Sequence, residues 1–291
     1  MDRTYTTREL AQMWNISEST VKRWADTSGL RCQRTPGGHR RFFLADIQLF
    51  QKDRGFEATG LLTTESWEDP RVEDLLNRKD FVRVREQVRY LAVHNQRKQI
   101  EELLKRLYLR GVPLEHIYDS VVIPVISSSQ NDLSKKTLNL GQSKLIQVNV
   151  EKAVSYLFPH IIRKQEKGKT SLCSSPFPSQ SLSVNAAARV LEIEGWEVLN
   201  LGWSVPFAAM ASIVEEEPIN MVCIVSSGTN DVAALADIET LIEVVSEYHL
   251  PIVMVGEKLI CEELDFSSID SYYFSDFSSF QSFIASRIPS S

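Results

Sequence analysis

Two short segments near the N-terminus concentrate hydroxyl and cationic side chains. The first runs from residue 18 to residue 23, between an upstream serine and a tryptophan. At the N-terminal end of a helix, such groups can hydrogen-bond to base edges in the major groove of a duplex. The candidate side chains are those of Glu18, Ser19, Thr20, Lys22 and Arg23. Val21 and Trp24 are expected to face inward.

The second segment is the basic turn at residues 35–41. Gly37 and Gly38 leave room for close backbone approach, and His39, Arg40 and Arg41 follow at once. Cations beside such a turn neutralise phosphates or enter the minor groove. A solvated hairpin without a partner is the alternative, which the neighbouring candidate helix makes less favoured. The predicted DNA contacts are Thr6, Glu18, Ser19, Thr20, Lys22, Arg23, Thr35, Gly38, His39, Arg40 and Arg41.

Local signals predict two helices joined by a short turn, which would present the first segment. Thr6 and Glu9 have the spacing of a capping box at the start of a first helix. Residues 15–16 break this helix, and Ser17 caps a second helix that runs to about Asp26. This arrangement is a helix-turn-helix.

A hairpin and a third helix complete the predicted N-terminal domain. Residues 31–43 form two short extended arms around the Pro-Gly-Gly turn, which is typical of a wing. The third helix begins at residue 44, with Ile47, Leu49 and Phe50 facing inward. The winged helix-turn-helix is predicted to cover residues 1–56.

Charge is distributed unevenly along the 291 residues. Residues 1–56 carry ten Lys and Arg against six Asp and Glu, whereas residues 172–291 carry three against seventeen. A basic head on an acidic body suits a module that binds a polyanion. The expected partner of the head is therefore double-stranded DNA.

Beyond residue 56 the pattern predicts a linker at 57–70, a four-helix bundle at 71–168 and a doubly wound parallel sheet at 169–291. The fold class is thus multidomain, α followed by α/β. The predicted bundle helices are 82–90, 96–109, 114–127 and 140–162. The predicted strands are 170–173, 197–201, 221–225, 252–255 and 271–274, and the helices between and after them are 182–194, 206–216, 233–248 and 277–287.

Other residues that could bind a ligand or a metal give weaker signals. The four cysteines are far apart, so buried free thiols are expected rather than disulfides or a zinc site. Residues 226–229 follow the third strand and could hold a phosphate, or could be an unused polar turn. Trp196, Trp203 and the phenylalanines of the C-terminal tail are assigned to packing. Apolar runs fall short of the ~20 residues that cross a bilayer, so a cytoplasmic protein without a membrane partner is expected.

The N-terminal domain is similar to the winged helix-turn-helix of the MerR superfamily. The match is carried by Thr6-Thr7-Arg8-Glu9-Leu10-Ala11, Val21-Lys22-Arg23-Trp24 and Gly37-Gly38-His39-Arg40-Arg41-Phe42. The resemblance implies a transcriptional regulator. Typical members dimerise through a long helix after this domain, and residues 57–70 do not look like one. A homo-oligomer is therefore expected to form through another part of the chain.

The order of the three parts resembles the light- and cobalamin-dependent repressors of carotenoid synthesis. The landmarks are Gly111-Val112-Pro113, Pro124, Gly195-Trp196-Glu197-Val198 and Leu201-Gly202-Trp203-Ser204-Val205-Pro206. This resemblance covers nearly the whole chain. It implies repression of transcription and a C-terminal domain of the cobalamin-binding type.

The residues through which that family holds cobalamin are replaced here. Gln180 and Ser183 stand where the resemblance implies the cobalt-ligating histidine and a following glycine. Leu133, Ser143 and Lys144 stand where it implies the tryptophan and the Glu-His pair that cap the corrin. A glutamine amide is a poor cobalt ligand. The sequence therefore predicts a degenerate module that binds neither cobalamin nor a metal.

The favoured function is a sequence-specific DNA-binding regulator, a repressor by resemblance, whose C-terminal domain serves oligomerisation or binds a regulatory protein. The alternative is a sensor that binds a nucleotide, haem or tetrapyrrole in the former cobalamin pocket. An enzyme related to cobalamin-dependent methyltransferases or mutases is disfavoured, because the cofactor carries that chemistry and its ligands are replaced. The sequence leaves the operator, the sign of regulation and the effector open.

Overall fold

The computed structural model describes residues 4–14, 16–54, 70–158, 161, 163–178, 180–226, 235, 237–257 and 269–287. The chain forms two compact units, Met1–Ile162 and Arg163–Ser291. In the described ranges, no helix is long and apolar enough to cross a membrane. Residues 57–69 of the predicted linker lie outside the described residues.

The first unit begins with the predicted winged helix-turn-helix, called the head below. Its elements are β1 (Thr4–Thr6), α1 (Thr7–Met13), α2 (Glu18–Thr27), β2 (Gln33–Arg34), β3 (Arg40–Phe43) and α3 (Leu44–Arg54). Strand β3 lies between β1 and β2 and is antiparallel to both. The sequence did not predict β1, because three residues are too few to show alternation. Its pairing with β3, with Tyr5 opposite Phe42, defines it.

Aromatic rings pack against one another in the core of the head. The ring centroids of Trp14 and Trp24 lie 5.6 Å apart, and those of Trp24 and Phe50 lie 5.3 Å apart. Val21 is fully buried, as predicted. The prediction for Leu49 was wrong, since this side chain is 38% exposed. Two residues turn an α-helix through about 200°, so Leu49 cannot share the buried face of Ile47.

The head shares part of its core with the helical segment of the same unit. Leu109, the last residue of α6 (Arg97–Leu109), is buried in the same cluster as the head residues Leu10 and Phe42. Arg106 of α6 and the next arginine, Arg110, both pair with one carboxylate, which is that of Glu73 in α4 (Pro70–Arg78). The chain that follows the head is therefore fastened to α6 close to Leu109.

We expect Leu109→Ala to lower the free energy of unfolding of the first unit by about 2 kcal/mol, because a buried leucine is truncated and the cavity refills only in part. Urea unfolding followed by tryptophan fluorescence checks this, since Trp14 and Trp24 lie in the same cluster. The matched control is Leu140→Ala, whose side chain is 61% exposed and which should change stability by less than about 0.5 kcal/mol. Equal stability of the two variants would contradict the shared core.

The bundle contains more helices than the sequence predicted. Its remaining elements are α5 (Phe81–Val93), α7 (Leu114–Ile117), a π-helical turn (Tyr118–Val122), α8 (Ile123–Ser134) and α9 (Leu140–Ser155). Helices α5, α6, α8 and α9 pack around a common apolar core. Helix α4 was not predicted, because it begins at a proline assigned to the linker. Proline is nevertheless favoured at the first position of a helix, where its missing N–H is not needed.

Two prolines explain other differences from the predicted helix bounds. The π-helical turn ends just before Pro124, which lacks the N–H that would continue the α-helical hydrogen bonds. Helix α9 ends at Ser155 instead of residue 162. Pro159 disfavours helical backbone in the residue before it, so the helix stops short of this position.

The second unit has the predicted α/β architecture. Five strands, β4 (Thr170–Ser175), β5 (Glu197–Trp203), β6 (Met221–Ser226), β7 (Ile252–Gly256) and β8 (Ser271–Phe274), form a parallel sheet of order β5-β4-β6-β7-β8 in the described residues. The helices whose bounds lie in the described residues are α10 (Ser181–Ile193), α11 (Phe207–Glu216), α12 (Ile238–Glu247) and α13 (Phe277–Arg287). The strand order reverses between β4 and β6, and open sheets bind ligands at the carboxyl ends of strands beside such a reversal.

The packing role assigned to the aromatic residues of this unit is confirmed in part. Trp196 is 5% exposed, and Phe277 and Phe280 are buried. Trp203 corrects the prediction, because its side chain is 48% exposed at the carboxyl end of an edge strand. Trp203 was predicted to be buried because its ring is apolar. It is exposed because the last residue of an edge strand has no neighbouring strand on one side.

Candidate nucleic-acid interface

Reciprocal hydrogen bonds fix the start of α1. The backbone N–H of Thr6 donates to Oε2 of Glu9 at 2.7 Å, and the N–H of Glu9 donates to Oγ1 of Thr6 at 3.2 Å. The predicted capping box is confirmed. Thr6, one of the predicted DNA contacts, therefore uses its hydroxyl as a helix cap.

The recognition helix α2 is capped as predicted. The N–H of Thr20 donates to Oγ of Ser17 at 3.2 Å, and the same oxygen lies 2.7 Å from the Ser19 hydroxyl. The hydroxyl of Thr20 lies 2.9 Å from it. The three hydroxyl groups thus form one cluster at the N-terminal end of the helix, where base contacts are made in this class of fold.

The outer face of α2 is polar and accessible. Glu18, Ser19, Lys22 and Arg23 are exposed, whereas Val21 is buried against the core. Lys22 and Glu18 form an exposed pair with 4.0 Å between Nζ and Oε2. Such a pair contributes little to stability, so both side chains can be redirected by a ligand.

The wing is a tight hairpin with an exposed tip. The N–H of Thr35 donates to the carbonyl of His39 at 2.9 Å, and the N–H of His39 donates to Oγ1 of Thr35 at 3.2 Å. Gly38 has φ +78, a left-handed conformation that glycine adopts without strain. Residues 36–39 are exposed. Thr35 thus shapes the tip, and Gly38 and His39 are presented to solvent.

The two adjacent arginines of β3 differ in their surroundings. Nη2 of Arg40 donates to both carboxylate oxygens of Asp26, at 2.7 and 2.8 Å, and the Arg40 side chain is 15% exposed. Arg34 of β2 reaches the same carboxylate at 3.4 Å and is 61% exposed. Arg41 is half-buried and pairs in register with Gln33 and Thr6. The sequence located the basic cluster but not the carboxylate that organises it.

Serine hydroxyls close the carboxyl edge of the parallel sheet in the second unit. Ser174 Oγ donates to the carbonyl of Gly202 at 3.1 Å, and Ser226 Oγ donates to that of Glu257 at 2.5 Å. Ser175 Oγ accepts from the N–H of Phe177 at 3.2 Å. The first of these bonds joins β4 to β5, and the other two tie the loops after β4 and β7 to the sheet. Residues 227–229 of the predicted phosphate site lie outside the described residues.

The positions that the cobalamin-type resemblance singled out have ordinary roles within their own units. Gln180 precedes the first turn of α10, and its side chain makes no capping hydrogen bond. Ser183 is half-buried in the same helix. In the bundle, Ser143 is buried, Leu133 is half-buried and Lys144 is exposed with Nζ 3.2 Å from Oε1 of Gln147.

The second unit offers no histidine where a cobalt ligand would be needed. A single histidine, His249, occurs in the sequence from residue 163 onward. It lies in the turn before β7, with φ +54, which is at the amino end of that strand. A cobalt ligand would be needed at the carboxyl ends of the strands, on the opposite edge of the sheet. An imidazole from this unit therefore cannot bind cobalt in that crevice.

Two cysteines lie side by side within the same sheet. Cys173 of β4 and Cys223 of β6 are opposite each other in the sheet, and both are buried. A hydrogen bond to Cys223, together with burial, raises the pKa of Cys173 well above its usual value. The thiol stays protonated, whereas metal ligation needs the thiolate. Among the described residues, no group of three or more His, Cys, Asp or Glu could hold a metal ion.

These features define a protein with an N-terminal helix-turn-helix domain, the kind of module through which transcriptional regulators bind DNA. Comparison with known families agrees, since the model described as "Helix-turn-helix domain" matches residues 4–55. A comparison with curated proteins gives no match to the chain.

Comparison with solved structures shows a fold like that of cobalamin-binding proteins over about two thirds of the chain. The monomethylamine corrinoid protein of Methanosarcina barkeri is similar with a TM-score of 0.54 and 12% identity, over 68% of this chain and 95% of that one. This likeness shows a shared fold. The methanol:cobalamin methyltransferase complex of Methanosarcina barkeri matches with a TM-score of 0.34 and 13% identity, over 79% and 89% of the two chains. A cobalamin-binding protein of Desulfitobacterium hafniense DCB-2 matches with a TM-score of 0.32 and 13% identity, over 74% and 95%.

Proposed function

We propose that this protein is a sequence-specific transcriptional regulator of the MerR type that represses its target promoter. The observation that carries the proposal is the pairing of an exposed, polar recognition helix with an exposed wing tip on one small basic head. In this arrangement the helix can read a major groove while the wing contacts the adjacent backbone. The sign of regulation rests on the resemblance to carotenoid-synthesis repressors.

An electrophoretic mobility shift with the promoter of the protein's own gene tests this proposal. We expect a complex that forms preferentially with this DNA over a scrambled duplex and that weakens steeply between about 50 and 200 mM salt, because bound phosphates release counterions. A reporter fused to the promoter should then rise in expression when the protein is absent. If the promoter and scrambled duplexes bind alike, the proposed function is wrong.

We further propose that the second unit works without cobalamin, as a scaffold for oligomerisation or for a regulatory protein. The position of His249 at the wrong edge of the sheet supports this. A ligand that binds only the folded protein stabilises it, by about 4 kcal/mol when its concentration is 1,000 times Kd. The unfolding temperature then rises. We expect hydroxocobalamin and adenosylcobalamin to leave the unfolding temperature unchanged. A shift together with a corrin absorbance that co-purifies would overturn this part of the proposal.

The source of the dimer contact can be tested by mass. The recognition helices of two heads usually occupy half-sites about one turn of DNA apart, so a regulator of this type acts as a dimer or larger assembly. We expect light scattering to give a homo-oligomer without DNA, assembled through the bundle or the second unit. A monomer that pairs only on DNA would place the contact in the head.

A second function is favoured by Trp203. Its indole is 48% exposed at the carboxyl end of the edge strand β5, one strand away from the reversal between β4 and β6 where open sheets hold ligands. An exposed indole at this position can stack on a planar ligand, such as haem or a nucleotide base. Haem or a nucleotide would then stabilise the protein, and Trp203→Ala would abolish the stabilisation.

A further inference from the structure

The recognition helix ends in a carboxylate that electrostatics alone does not favour. Asp26 lies in the last turn of α2, where the helix dipole is negative and a cation would be preferred. It also places a negative charge on a basic head that must approach phosphates. A contact with a cation would offset this unfavourable charge, and Arg40 of the wing makes such a contact with Asp26.

That contact joins two elements that are separate in the chain. Nη2 of Arg40 lies within 2.8 Å of both oxygens of Asp26, fourteen residues away. Phe42, on the same face of β3 two residues later, is fully buried in the head's core. The Arg40 side chain therefore emerges at the border of the core, directly against the end of the recognition helix. At 15% exposure, it has little surface left for a phosphate.

We propose that Asp26 is a positioning residue, which holds the wing at a fixed angle to the recognition helix through Arg40. This inference rests on the proposed DNA-binding function. A helix and a wing can engage one duplex together only if their separation matches the spacing of the groove and its adjacent backbone. Arg40 acts inside the head, while Arg34, at 61% exposure, keeps a surface for phosphates.

The Asp26→Asn variant separates this role from simple electrostatics, because the two predict opposite changes in the affinity for specific DNA. Removal of a negative charge from a DNA-binding head should tighten binding if only the charge matters. If Asp26 positions the wing, specific affinity should fall about tenfold, which is within the coupling measured for residues of one ion-pair network. Binding to a scrambled duplex should stay within about twofold, since phosphate contacts remain.

Three further measurements make the test decisive. Asp53→Asn removes an exposed carboxylate of the same head that is not the one bound by Arg40, and it should bind as tightly as the wild type or more tightly. Arg40→Ala should lose specific affinity without changing the salt dependence, because a lost phosphate contact would lower the log–log salt slope by about 1. The double variant Asp26→Arg with Arg40→Asp should recover specific binding, because the pair is restored with its charges exchanged.

The outcomes are distinguishable from failure of the proposed function. A wild-type protein that shows no sequence preference would overturn the function itself. A wild type that prefers its operator, together with Asp26→Asn binding equally well or better, would overturn the positioning role alone. Unfolding temperatures of all variants are measured first, so that a misfolded head is not mistaken for a lost contact.

Discussion

The double variant Lys22→Ala with Arg23→Ala is expected to lose about 100-fold or more of the specific affinity for the operator. Both side chains project from the exposed face of the recognition helix, and a good contact to a base edge contributes about 1–3 kcal/mol. The fold should be little affected, because the Lys22–Glu18 pair is exposed and Arg23 lies outside the core. Fluorescence anisotropy with labelled operator and scrambled duplexes measures the loss.

A matched control removes the same charge from the bundle. Lys98→Ala with Lys152→Ala replaces two exposed lysines of α6 and α9, which lie outside the head. It should keep operator affinity within about threefold, since screened charges at a distance contribute little. If the control loses as much affinity as the head variant, DNA binding depends on total charge and not on the recognition helix.

Gly195→Ala is expected to lower the stability of the second unit by about 3–5 kcal/mol, since backbone strain and overpacking add. Gly195 has φ +88 at the end of α10, and a Cβ there would lie 2.2 Å from the carbonyl oxygen of Gln165. The segment that contains Gln165 cannot easily move away, because residues on both sides of it are held in place. The N–H of Lys167 donates to the Gly195 carbonyl, and Lys164 pairs with the buried carboxylate of Glu194 at 2.6 Å.

Gly202→Ala is the control, because it isolates the conformational cost from the steric one. Its φ is +82, close to that of Gly195, but a Cβ would meet nothing within 4 Å. We expect a loss of about 1–2 kcal/mol, the usual cost of a left-handed conformation for a residue with a side chain. Urea unfolding followed by circular dichroism compares the stability of the two variants. Equal losses of stability would show that the backbone at Gln165 moves away from the added Cβ at no cost in free energy.

Regular patterns made most of the fold predictable. The five strands of the second unit are short apolar runs between turn residues, and each predicted strand overlaps an observed one. The capping signals at Thr6 and Ser17 also depend only on neighbours in the chain, and the observed hydrogen bonds confirm them. Helix ends in the bundle were less predictable, because prolines and a π-helical turn interrupt the α-helical hydrogen bonds within a largely continuous apolar pattern.

The candidate interface was predictable as a set of residues but not as a geometry. The sequence shows that Arg40 and Arg41 are cations beside a glycine turn, and it assigns the same role to both. Only the folded head brings Asp26 against Arg40 and leaves Arg41 in a different setting. Contacts between residues distant in the chain have no local signature, so a single sequence cannot separate a phosphate contact from an internal pair.

The seat of Leu109 in the core of the head affects how this regulator can be rearranged. A fragment cut after residue 56 would expose to water the apolar surface of the head that Leu109 covers. A head from another protein, joined to this bundle, would lack a surface that fits Leu109. Exchange of heads between such regulators therefore requires the end of α6 to travel with the head, as one inherited piece.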